Sequence, residues 1–85
     1  MTNLSQKAIK PLGKLVQEYL KDYFAQEKSA ITLTNMYGTV IREVERPLIT
    51  IILKETQGNQ TKTAQILGIN RNTLRKKMAE LKIPF

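Results

Sequence analysis

The stretch Leu48-Ile49-Thr50-Ile51-Ile52-Leu53 constrains this chain more than any other. It is apolar except for one threonine, so a helix through it is greasy nearly all round and must be covered on nearly every side. A chain of 85 residues has little material for such a cover, whereas a second copy of the same helix supplies it. Leu48, Ile49, Ile51, Ile52 and Leu53 are therefore read as a homodimer interface. A buried β-strand is the competing reading of a run so rich in β-branched residues. Helix is favoured because Met36, Val40, Ile41, Val44, Leu48, Ile51 and Ile52 keep one helical phase through the run, and no partner strand is evident. Pro47 interrupts that helix and predicts a kink, since it removes one backbone bond and crowds the preceding turn.

The chain contains neither Cys nor His. Disulfides, the usual zinc ligands, thiol nucleophiles and imidazole bases are thereby excluded, and no cofactor is expected. Asp and Glu are scattered singly, and Glu43 and Glu45 diverge on a helix. With no phosphate-cradling glycine loop either, the pattern argues against an enzyme. No stretch has the length and apolarity of a signal peptide or membrane span, so a cytoplasmic protein with no membrane partner is expected.

Around that run the pattern is helical throughout, and the expected class is all-α. Residues 1–10 read as a flexible N-terminal arm. Pro11 suits the first position of a helix whose stripe is Leu12, Leu15, Val16, Tyr19, Leu20, Tyr23 and Phe24, ending near Glu27. Thr34 or Asn35 can cap the second helix, and Gly58 supplies the left-handed residue that stops it. Asn59 can cap a third helix to about Leu67, and Asn70 a fourth from Arg71 to about Leu81. The expected division is an arm (1–10), dimerisation helices (11–57) and a helix-turn-helix (58–85), in one compact domain overall.

The last segment carries the chemistry. Ala64 is small, Gly68 follows four residues later and Leu74 ten later, the spacing of a helix-turn-helix. The net charge of +7 is concentrated there: from Gly58 onward six basic residues face one acidic, a balance of +5. At about 100° per residue Leu74, Met78 and Leu81 share one arc of the fourth helix. Asn72, Thr73, Arg75 and Lys76 sweep the rest, with Arg71 in the first turn and no carboxylate before Glu80. Guanidinium forks, amides and hydroxyls match guanine edges and phosphates, and two capped helix N-termini favour phosphate. An ordinary helical hairpin in a protein-interaction adaptor is the alternative function. RNA is disfavoured, because the basic segment lacks aromatics that could stack on bases.

Gly58-Asn59-Gln60-Thr61 and Gly68-Ile69-Asn70-Arg71-Asn72-Thr73-Leu74-Arg75-Lys76-Lys77 closely resemble the C-terminus of the Fis family, the bacterial factors for inversion stimulation. Asp22-Tyr23-Phe24-Ala25-Gln26 and Glu43-Val44-Glu45-Arg46-Pro47-Leu48 look like matching stretches of its first two helices, so the resemblance covers about residues 11–83. A related tail closes the NtrC-class transcription activators, where it follows an ATPase domain. The resemblance implies a four-helix subunit in a homodimer intertwined through the first two helices. Such a dimer binds and bends double-stranded DNA at a degenerate site with an AT-rich centre, as a nucleoid-associated transcriptional regulator. Carried over, Arg71 reads a guanine and Asn70 touches a base edge. Asn59, Gln60, Thr61, Thr73, Lys76 and Lys77 grip phosphates, while Lys62 and Arg75 hold the flanks of bent DNA. Inversion-stimulating members have a longer arm that contacts the recombinase; ten residues precede Pro11 here, which makes recombinase contact doubtful. The last turn, Ala79-Glu80-Leu81, is also less basic than in those relatives.

Overall fold

The computed structural model describes residues 11–26 and 34–84. The expected arm (1–10), the expected end of the first helix near Glu27 and the connection after it (28–33) lie outside the described residues. Every regular element among those described is a helix: α1 (Leu12–Gln26), α2 (Met36–Glu55), α3 (Gln60–Leu67) and α4 (Arg71–Leu81). None is long and apolar enough to cross a membrane. The chain divides into two compact units, Met1–Thr34 and Asn35–Phe85.

In the first unit, α1 begins one residue later than expected. The Pro11 carbonyl accepts from the amides of Lys14 and Leu15, so the proline stands just before the helix rather than at its first position. No residue of α1 is buried, although its apolar stripe is intact. Tyr23 stacks on Tyr19 with centroids 6.3 Å apart and meets Phe24 edge-on at 5.6 Å, arrangements that suit the ring quadrupoles.

The second unit is built on α2, which runs unbroken through Pro47. Asn35 precedes it in the left-handed conformation, and its side chain makes no capping bond, contrary to expectation. Its carbonyl instead accepts from the amide of Thr39 at 3.0 Å. At the other end Thr56 follows the helix, and the first left-handed residue is Gln57, with Gly58 also at positive φ (84°).

All three helices of this unit close in one way. The Gly58 amide reaches back to the Leu53 carbonyl (2.8 Å), Ile69 to Ala64 (3.0 Å) and Ile83 to Met78 (2.9 Å). Gln57, Gly68 and Lys82 sit at positive φ just before these donors. This closure satisfies carbonyls that a helix end would otherwise leave unpaired. It also turns Ile69 and Ile83 back onto the apolar cluster of their own helices.

That cluster comprises Ile49 and Leu53 from α2, Ala64 from α3, Leu74, Met78 and Leu81 from α4, and Ile83, with Leu67 and Ile69 packed at its edge. Burying a side chain of this size stabilises by about 1.5–3 kcal/mol. Among the described residues Thr63 is the buried polar one, and its hydroxyl meets that of Thr56 at 2.7 Å. Thr56 also donates toward the Leu53 carbonyl, so the joint between α2 and α3 leaves no buried hydroxyl without a partner.

The apolar run of residues 48–53 is thereby divided. Ile49 and Leu53 are 2% and 0% exposed within the subunit, whereas Leu48 and Ile51 remain 46% and 59% exposed. Ile49 and Leu53 are covered by the chain's own last two helices, which reach them because the closures at Gln57 and Gly68 fold the chain back. Leu53→Ala is expected to cost about 2–5 kcal/mol. Ile66→Ala, at an exposed position, should stay within about 0.5 kcal/mol. Urea denaturation at fixed protein concentration measures both, and equal losses would contradict this division.

Candidate nucleic-acid interface

The candidate interface is built from two capped helix starts and the outer face of α4. Asn59 is extended and its Oδ1 accepts from the Lys62 amide at 3.0 Å. Asn70 is likewise extended, accepting from the Asn72 amide at 2.7 Å. Each cap satisfies one amide of the first turn and leaves the positive end of the helix facing outward. Neither first turn carries an acidic residue, so neither anion-attracting end is neutralised from within its own helix start.

Between these starts, Gly68 makes the turn short. Its φ of 76° suits glycine, and a Cβ there would meet no atom within 4 Å, so backbone conformation rather than crowding selects the residue. The turn lets Leu67, Ile69 and Leu74 join one cluster, which seats α4 on α3 and α2.

With Leu74, Met78 and Leu81 buried, α4 presents Arg71, Asn72, Thr73, Arg75 and Lys76 to solvent. Asn59, Thr61, Lys62 and Asn70 are also exposed, and Gln60 is half-buried. Apart from Asn72, which was named only as part of the face, these are the contact residues expected from sequence, and Lys77 completes that set. Lys77 lies against α2, its Nζ 2.7 Å from Glu45 Oε2. The hydrogen bond to Glu45 holds the ammonium above the usual lysine range, partial burial opposes it, and the charges of Glu45 and Glu80 add to the upward shift. Because the shift is upward, the pair's contribution is complete below the ordinary lysine value and is lost only as pH rises through the raised one.

Two residues at this joint were not singled out from sequence. Glu45 holds Lys77, and beside it Arg46 donates from Nη1 to the Leu81 carbonyl at the end of α4. Lys77 itself gave a signal: at about 100° per residue it lies only about 60° from Leu74, on the rim of the apolar arc. Its partner, 32 positions earlier, had no signal in any local window.

The family described as "Bacterial regulatory protein, Fis family" matches residues 40–81. The match begins inside α2 and includes Ile49 and Leu53, which complete the core beneath the helix-turn-helix. The DNA-binding protein Fis of Buchnera aphidicola is 46% identical over 81% of this chain and 70% of its own length. That of Actinobacillus succinogenes is 44% identical over 92% of this chain and 78% of its own. The DNA-binding transcriptional regulator NtrC of Azospirillum brasilense is 54% identical over 85% of this chain, which spans only 15% of that protein. With most of both chains aligned against the Fis proteins, this chain belongs to the Fis family.

Proposed function

We propose that this chain is a DNA-binding transcriptional regulator that lays α4 in the major groove. The observation that carries the reading is the outer face of α4: Arg71, Asn72, Thr73, Arg75 and Lys76 exposed in one helix, started by a capped N-terminus. In this reading the Arg71 guanidinium forks onto a guanine edge and Asn70 touches a neighbouring base. Asn59, Gln60, Thr61, Thr73 and Lys76 contact phosphates, which set register without reading sequence. Lys62 and Arg75 hold the flanks of a bent duplex.

The protein works as a homodimer. Tyr37, Ile41, Leu48 and Ile51 are exposed on α2. With half-buried Val44 they recur at alternating steps of four and three, the spacing of a helix-pairing seam. Leu48, Ile51 and half-buried Ile52 are the part of the greasy run left for the partner subunit. Two recognition helices in one dimer favour DNA whose AT-rich centre narrows and bends easily, which gives specificity at positions the protein does not touch. A cytoplasmic, nucleoid-associated protein follows from such a role.

Selection of bound duplexes from a random pool, followed by gel-shift titration at two salt concentrations, tests this reading. Affinity should fall with salt at a log–log slope of about −0.9 for each phosphate neutralised. Arg71→Ala should cost about 1–3 kcal/mol for each guanine contact and relax preference at one base per half-site, whereas Lys76→Ala weakens all sequences alike. No binding to any duplex would sink the reading, and an unchanged preference in Arg71→Ala would remove Arg71 as the reader. Sedimentation at micromolar concentration should give twice the 9.7 kDa chain mass, and Ile51→Glu should shift the protein toward monomer.

A further inference from the structure

We infer that Glu45 and Arg46 of α2 are positioning residues for DNA recognition, gripping α4 through Lys77 and the Leu81 carbonyl, and that Lys77 serves this grip instead of a phosphate. The inference rests on the DNA-binding reading above and deepens it.

The two contacts fall on different turns of α4. Lys77 meets Glu45 at 2.7 Å two turns into the helix, and Leu81 receives Arg46 at its end. Their partners are consecutive residues of α2, so one short piece of that helix holds α4 at two points along its length. Apolar packing of Leu74, Met78 and Leu81 is non-directional, and by itself it tolerates rotation and sliding. An ion pair and a charge-assisted bond to a carbonyl have direction and limit both movements. Base reading needs such limits, because bidentate contacts fail when the helix that carries them is displaced.

Lys77 is also poorly placed for phosphate. It lies about 60° around the helix from buried Leu74, whereas Asn72 and Lys76 lie about 160° from it on the open side. Its side chain is 33% exposed and that of Glu45 22%, so the pair is partly withdrawn from water. Glu80, one turn on, adds negative potential on the same flank. A phosphate approaching Lys77 would meet two carboxylates.

The test uses the full chain, one duplex recovered by the selection above and one scrambled duplex, with circular dichroism melting to verify folding. Lys76→Gln should reduce the salt slope by about 0.9 for each phosphate it no longer neutralises. Lys77→Gln should leave the slope unchanged while lowering the preference for the selected duplex, and Arg46→Gln should do the same. Lys77→Glu should reduce that preference by about tenfold, the discrimination of one base contact. The charge-swapped double variant Glu45→Lys/Lys77→Glu should recover most of it. A phosphate ligand turned to glutamate would not be rescued by a lysine on α2. The inference is overturned if Lys77→Gln flattens the slope as much as Lys76→Gln does, if Lys77→Glu keeps the wild-type preference, or if the double variant binds no better than Lys77→Glu. Should Lys77→Glu fail to fold, the slope of Lys77→Gln decides alone. Failure of the wild-type chain to bind either duplex would instead count against the DNA-binding reading itself.

Discussion

Everything in the second unit depends on Ile49 and Leu53 of α2 packing against Leu74, Met78 and Leu81 of α4. Helices of eight and eleven residues are too short to persist in water, where isolated helices below about 12–15 residues are marginal. Their stability comes from the apolar face they share with α2. The last helix therefore keeps its place only as long as this contact holds. In the dimeric reading, the same α2 that supports α4 from one side meets the partner subunit from the other. A change in how the subunits pair would then be felt directly by α4, the helix proposed to read DNA.

Helix ends do the complementary work. Asn59 and Asn70 start α3 and α4 cleanly and leave their positive ends open. The three left-handed closures fold each chain segment back over the cluster. Only one of those closures uses glycine at its first left-handed position; Gln57 and Lys82 accept the conformation at some cost. The amides they align pair with helix carbonyls, and in two of the three the following isoleucine gains apolar contact.

Much of this was legible in the residues. Strong helical periodicity around Val44 and Leu74, caps at Asn59 and Asn70, and Gly68 at the turn are local signals acting over a few residues. The exposed face of α4 followed from the same periodicity, because burying Leu74, Met78 and Leu81 leaves little choice about which side chains point outward. The start of α2 was less legible: Asn35 has the right chemistry for a cap, but it stands in the left-handed conformation and its side chain makes no capping bond. The left-handed turn after α2 begins at Gln57, one residue before the expected Gly58, since glycine is the usual left-handed residue and Gln57 gives no such hint.

The sequence by itself determined an all-helical chain, a helix-turn-helix at its end, and a basic, carboxylate-poor face on the last helix. These rest on period, capping and charge, all of which act within a turn or two of the backbone. Only the tertiary structure decided how the run from Leu48 to Leu53 is shared, with Ile49 and Leu53 inside the subunit and Leu48 and Ile51 outside. It alone took Lys77 from the row of exposed cations and set it against Glu45. Both decisions depend on which segments meet across thirty or so positions of chain, and no local pattern encodes which partner a greasy face or a rim lysine will find.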